Sequence, residues 1–197
     1  MTTTKASLDP ILLRIAKSAI LEKFDDNYRF DRDALVRSYP FLNEKGAVFV
    51  TLNKTGALRG CIGSIIAHRR LLDDLIQNAQ SAAFGDPRFL PLSPDELDAL
   101  TLEVSLLSEP EPIEYSDFAD LCAKVRPHID GLILKSGFYS GTFLPQVWEQ
   151  LPTPKLFLEH LAQKAGATPD IYAQKPDIYR YTVEHIEERF NAILPLE

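Results

Sequence analysis

Thiols are scarce in this chain. Cys61 and Cys122 are its two cysteines, far apart and outside any C-x-x-C arrangement. Disulfide frameworks and structural zinc sites need more thiols than this, so neither is expected, and a reducing cytoplasm fits best. Positive charge is also in short supply: 21 Lys and Arg stand against 28 Asp and Glu, a formal net charge of -7. General nucleic-acid binders are usually basic, so broad backbone binding is not expected; a local basic spot around Arg59, Arg69, Arg70 and Arg88 stays open. No apolar run approaches the length that spans a bilayer, and Met1-Thr2-Thr3-Thr4-Lys5 lacks the apolar core of a signal peptide. The four histidines, His68, His128, His160 and His185, show no ligand spacing such as H-E-x-x-H. A Gly-rich phosphate loop, a G-x-S-x-G elbow and a dinucleotide fingerprint are all missing. No metal and no cofactor is expected.

What is present is an ordinary globular composition, 197 residues and 45% hydrophobic, long enough for one sizeable core or two lobes. Asp9-Pro10 reads as a helix start, with Asp as N-cap and Pro at the first helical position. Leu12, Ile15, Ala16, Ala19 and Ile20 then recur at helical spacing. A short helix is expected over 31–38 and a strand over 47–53. Lys54-Thr55-Gly56 reads as a hairpin turn with Gly at a positive φ, and 58–66 as the return strand. A helix over 71–84 carries Leu72, Leu75, Ile76, Ala79, Ala82 and Ala83 on its apolar side, with Gly85 placed to end it in the left-handed region. Ser93-Pro94-Asp95-Glu96 is a capping box. Strands follow over 100–107, 131–135 and 138–143, and one long strand over 178–190; Ser116 reads as the cap of a helix reaching 125, and Thr153-Pro154 opens a helix that Gly166 ends. Strands come as hairpins and singles between helices, which predicts an α+β fold with a mainly antiparallel sheet flanked by helices.

The segment Leu58-Arg59-Gly60-Cys61-Ile62-Gly63 places a charged residue and a thiol two apart in an apolar strand. Alternation puts Arg59 and Cys61 on one face. Gly60 and Gly63 remove bulk, so a ligand or another backbone approaches closely. A guanidinium near a thiol favours the thiolate, which is the nucleophile. Arg59 either forms a structural ion pair, with Asp86 or Glu103 as the carboxylate, or grips an anion. Asp86-Pro87-Arg88-Phe89 is a rigid turn, in which Asp86 locks its own backbone and Arg88 is a candidate ligand contact. Thr142 and Gln146, in Gly141-Thr142-Phe143-Leu144-Pro145-Gln146, are further candidates for a ligand hydrogen bond. Cys122 reads as structural, and His68 is the one histidine worth testing as a base for Cys61.

Taken together, these motifs resemble the AMMECR domain, whose bacterial and archaeal members are called AmmeMemoRadiSam system protein A. Gly56 to Gly63 is similar to its signature. The second block is matched by Asn78-Ala79, Ala82-Ala83, Asp86-Pro87-Arg88-Phe89 and Pro91-Leu92, and the third by Leu102-Glu103-Val104-Ser105 with Leu107-Ser108. Asp130-Gly131-Leu132 with Gly141 to Trp148, and Phe157-Leu158 with Lys164-Ala165-Gly166, resemble the last two. The resemblance covers residues 8–190 as a single domain, and departs after Gly166, where Ile171-Tyr172 fills a region in which many members carry Trp. It implies two unequal subdomains around an antiparallel sheet. It also implies association with a Memo-like protein and a radical S-adenosylmethionine protein. Two functions stay open. One is a binding or accessory module holding a small anionic ligand or nucleotide in the Leu58 to Gly63 groove. The other is an enzyme with Cys61 as thiolate nucleophile.

Overall fold

The computed structural model of the protein describes residues 8–197; the opening segment Met1 to Lys5 lies outside them. In chain order the elements are α1 Ile11–Leu21, α2 Arg32–Ser38, β1 Ala47–Lys54, β2 Ala57–Gly63, α3 Leu71–Phe84, β3 Leu100–Leu107, β4 Glu111–Pro112, α4 Phe118–Lys124, β5 Gly131–Ser136, β6 Tyr139–Phe143, α5 Pro154–Lys164, β7 Asp177–Tyr181 and β8 Val183–Arg189. Short 3-10 turns join several of them, among them Pro94–Ala99 and Pro145–Glu149. The fold is α+β, with two four-stranded antiparallel sheets, ordered β2-β1-β3-β8 and β4-β7-β5-β6. They fall in two compact units of unequal size, one running to Leu107 and resumed over Glu184–Glu197, the other Ser108–Val183. No helix of the described residues is long and apolar enough to cross a membrane.

In the first unit, alternation along β1 sends Val48, Val50 and Leu52 into the core with Leu102 and Val104 of β3. Leu12, Ile15 and Ala16 of α1 and Leu72, Leu75 and Ala79 of α3 complete that core. The β1–β2 turn uses two positive φ angles, +48° at Thr55 and +83° at Gly56. In the second unit, Trp148 stacks on Phe157 with ring centroids 3.8 Å apart, and its indole N–H donates to the carbonyl of Asp130 at 2.7 Å. The buried Asp130 carboxylate accepts from Nε and Nη2 of Arg126.

Several local expectations need correction. Helix α1 opens one residue later than expected: Pro10 takes the cap position, while the Asp9 carboxylate accepts the Ile11 N–H at 2.9 Å. Gly85 follows α3 at φ -125°, not in the left-handed region; its N–H still closes on the carbonyl of Ser81, and the chain leaves extended into Asp86-Pro87. Strand β2 stops at Gly63 because the next residue turns inward, the Ser64 hydroxyl donating to Asp74 at 2.7 Å. Asp117, not Ser116, caps α4 by accepting the N–H of Asp120, while Ser116 gives its N–H and hydroxyl to the Asp120 carboxylate. The single strand expected over 178–190 is two, β7 and β8, in different sheets. The break is at Thr182, whose N–H goes to the Ser108 hydroxyl and whose carbonyl takes the Ser108 N–H.

Candidate functional site

Strand β2 is the outer strand of its sheet and carries the candidate residues Arg59, Gly60, Cys61 and Gly63. Its pairing with β1 slips between Leu52 and Asn53: Leu52 faces Gly60 and Asn53 faces Leu58. Arg59 is therefore the extra residue of a β-bulge, which re-aims a side chain and interrupts strict alternation. As a result Arg59 and Cys61, expected to share one environment, go to different partners.

Arg59 donates from Nε and Nη2 to the two carboxylate oxygens of Glu96, at 3.0 and 2.8 Å, and from Nη2 to the carbonyl of Leu90. The fork is mostly shielded, with both side chains close to one-eighth exposed. Lys54 adds a third contact to Glu96 at 2.8 Å. Arg59 beside Glu96, with Lys54 second, holds that carboxyl well below the usual carboxylate range. The partner of Arg59 is thus neither Asp86 nor Glu103, the two carboxylates the sequence suggests. Glu96 is concealed in the sequence by its other task, since it closes the capping box by accepting the Ser93 N–H. We expect Glu96→Gln to lower unfolding free energy by about 2 kcal/mol in urea titrations at neutral pH, less than for a fully enclosed pair. It leaves two cations without their shared anion.

Cys61 is held through its backbone. Its N–H donates to Oδ2 of Asp86 at 2.9 Å, and its carbonyl accepts Nη2 of Arg88 at 3.2 Å. Asp86 and Arg88 are themselves a bidentate pair, Nε to Oδ1 at 2.9 Å and Nη2 to Oδ2 at 2.7 Å. The two side chains therefore stand where a further strand would pair, closing the open edge of β2 at Cys61. The Asp86 carboxylate also accepts the Arg88 N–H, which locks the turn on itself. The Cys61 side chain is half-buried, and the hydroxyl of Thr51, its cross-strand neighbour, donates to Sγ at 3.3 Å.

The space at both glycines is filled by the protein's own atoms. A Cβ at Gly60 would lie 2.1 Å from the carbonyl oxygen of Ala82 in α3, and one at Gly63 would lie 2.2 Å from the ring of Phe49. His68 is exposed. Thr142 and Gln146 belong to the second unit. There the Thr142 hydroxyl donates to the carbonyl of Leu132 at 2.9 Å and lies 3.2 Å from the Tyr181 hydroxyl. Gln146 is exposed on the Pro145–Glu149 turn. Among the described residues, no group of three or more His, Cys, Asp or Glu is arranged to hold a metal.

Three further side chains make contacts that the motifs do not specify. Phe89 is near both arginines, its ring centroid 5.8 Å from the Arg59 guanidinium and 5.5 Å from that of Arg88. Asp74 and Asn78 are buried on the core side of α3. The Asp74 carboxylate takes the Val48 N–H, and the Asn78 amide donates to the carbonyl of Val48, tying α3 to the end of β1. Polar residues four apart within an apolar helical stripe are a legible sign of such a tie. Phe89 has no comparable sign.

Arg59 and Arg88 spend Nε and Nη2 on these bonds, which leaves Nη1 of each outside the network. The network holds three cations, Lys54, Arg59 and Arg88, against two carboxylates, Asp86 and Glu96. One positive charge is in excess. Of the two fixed guanidiniums, Arg88 is the more accessible, at 53% exposure against 13% for Arg59, and a braced guanidinium with a spare donor can receive a carboxylate or phosphate.

Comparison with known proteins agrees with this organisation. A family model described as AMMECR1 matches residues 13–186. A protein of Methanothermobacter thermautotrophicus is 40% identical over 185 residues, covering 90% of this chain and 92% of that one. A protein of Thermococcus gammatolerans is 42% identical over 191 residues, covering 91% and 89%. The crystal structure of uncharacterized protein PH0010 from Pyrococcus horikoshii superposes with a TM-score of 0.77 at 36% identity, covering 91% of this chain and 90% of the other.

Proposed function

The chain belongs to the AMMECR1 family, and from that premise we propose that it is a binding component, holding an anionic group against Arg59 and Arg88 without transforming it. The observation that carries this reading is the pair of guanidiniums that both lie close to the Phe89 ring, 5.8 and 5.5 Å from its centroid, each braced by its own carboxylate. Bracing matters because a guanidinium already held in place loses little freedom when an anion arrives. The surroundings of Cys61 favour binding over catalysis. A thiol nucleophile is usually paired with a general base, and the group that bonds Sγ is the hydroxyl of Thr51, not an imidazole or a carboxylate. In keeping with the family resemblance, residues 8–190 act as one AMMECR domain in the cytoplasm, accessory to a Memo-like protein and a radical S-adenosylmethionine protein.

A thermal-shift and calorimetric titration tests the reading with inorganic phosphate, AMP and citrate as probes. At least one probe should raise the melting temperature of the wild type. Arg88→Lys, which keeps the charge beside Asp86 but loses the planar fork, should weaken that probe about tenfold; Cys61→Ser should leave it unchanged. No shift with any of the three defeats the small-anion form of the proposal. The enzyme reading rests on the half-buried thiol and its Thr51 hydrogen bond. It takes over if Cys61, in a Cys122→Ser background, is alkylated rapidly at pH values well below the free-thiol range near about 8.5.

A further inference from the structure

Residues 190–196 leave β8 and run along α1, where side chains grip their main chain. Lys17 donates to the carbonyls of Phe190 and Ile193 at 2.8 and 2.7 Å. Arg14 donates from Nε to the carbonyl of Leu194 and from Nη2 to that of Pro195, both at 3.1 Å. The Tyr28 hydroxyl donates to the carbonyl of Leu196 at 2.6 Å, and the Ser18 hydroxyl accepts the Leu196 N–H at 2.9 Å. Arg14, Lys17 and Ser18 all belong to α1. These bonds go to atoms that nearly every residue carries, so they hold a path of main chain whatever side chains it bears.

Selection by side chain rests on three anchors. Phe190, Ile193 and Leu196 are buried in the core of the first unit, while Leu194 between them is 73% exposed. A spacing of three is the repeat of polyproline II; Ile193 sits at φ -75° and ψ 126°, and Pro195 keeps Leu194 extended. The third anchor leaves room. A cavity of about 140 Å³ adjoins Leu196, lined by Phe30, Ala34, Leu35 and Ser38, so an aromatic side chain there fills space that leucine leaves. The seat is also imperfect in charge. The buried Lys17 ammonium has neutral carbonyls and the Phe190 ring, 4.9 Å away, as its contacts. Burial pulls its pKa below the usual lysine range, with Asp98 opposing. Covering a charge without an ion-pair partner is costly. These residues are therefore held less firmly than their apolar anchors alone would hold them, and local release is easier than opening the sheet.

We propose that residues 190–196 are a detachable strap lying in a peptide-binding groove along α1. The groove takes, in the strap's place, an extended segment of a partner protein with apolar anchors spaced three apart, the third of them aromatic. The resident strap defines what fits: main-chain carbonyls for Arg14, Lys17 and Tyr28, an N–H for Ser18, and three apolar side chains. The inference does not depend on the anion-binding reading.

The test titrates a fluorescein-labelled peptide copying residues 189–197 into the whole chain by fluorescence anisotropy. The wild type and Ile193→Ser, whose own strap has lost its middle anchor, serve as receptors. The peptide should bind Ile193→Ser at least about tenfold more tightly, because in the wild type the tethered strap competes at high effective concentration. A peptide with Asn191→Ala and Leu194→Ala should keep most of that affinity, one with Leu196→Phe should exceed it, and one with Ile193→Ser should lose it. Equal binding to the two proteins, no binding to Ile193→Ser, or full affinity in the Ile193→Ser peptide overturns the inference. Weaker binding of the Leu196→Phe peptide overturns the aromatic third anchor. If the Ile193→Ser protein does not fold, hydrogen exchange in the wild type decides. The Leu196 amide should then exchange at least about a hundredfold faster than the protected amides of β1, as local opening requires. Exchange of both at one slow rate would mean that the strap leaves only with global unfolding, and overturns the inference.

Discussion

Gly60→Ala should lower the unfolding free energy by about 3 kcal/mol, at the upper end of what one added methyl costs in a packed interior. The added Cβ would lie 2.1 Å from the carbonyl oxygen of Ala82 and 3.1 Å from its carbon. Both are backbone atoms of α3, so no rotamer change relieves the overlap. Either β2 or α3 must move, and the turn after α3 is tied to β2 through Asp86 and Cys61. Gly63→Ala makes the comparison sharp. Its Cβ would lie 2.2 Å from the ring of Phe49, a half-buried side chain that can swing aside, so the cost should be near half as large. Urea denaturation at 25 °C measures both. Equal effects at the two positions would mean that close contact with α3 is not what requires glycine at 60.

Asp86→Asn should cost about 2 kcal/mol at neutral pH, below the range for a fully buried pair because the Arg88 side chain is half exposed, and the deficit should shrink as pH falls. The Arg88 guanidinium, then the N–H groups of Cys61 and Arg88, hold the Asp86 carboxyl well below the usual carboxylate range, against the opposing pull of burial. In the unfolded chain the same carboxyl titrates near about 3.9. The folded protein therefore binds fewer protons than the unfolded chain in mild acid. The stabilisation from Asp86 is complete above about pH 5 and is lost progressively below it. Asn has no charge to lose, so wild type and variant should converge when urea midpoints are compared at pH 7, 5, 4 and 3. A gap that stays constant with pH would show that the charge of Asp86 contributes nothing. Hydrogen exchange gives a local readout: the Cys61 amide, which bonds Asp86 directly, should lose protection in the variant before the rest of β2.

Periodicity alone places most of the elements. The apolar stripe from Leu72 to Ala83 lies on α3 over Leu71–Phe84, and the alternation of Leu102 and Val104 lies on β3 over Leu100–Leu107. Both patterns are local, because a helix or strand with one buried face needs apolar residues at its own period. The second sheet boundary was not legible. Residues 178–190 read as one strand because β propensity continues through Thr182; the break depends on Ser108, more than seventy residues away in sequence. At the candidate site, the residue types at Arg59, Cys61, Asp86 and Arg88 were visible as unusual in their setting, but their pairing was not. Pairing follows from a one-residue bulge, which turns Arg59 to Glu96, and from the exit of α3, which lays Asp86 and Arg88 along the backbone of Cys61. The sequence by itself determined which side chains needed partners, since a charge beside buried strand positions is costly unless compensated. Only the tertiary structure decided which partners they found, because one inserted residue in a strand changes where every neighbouring side chain points.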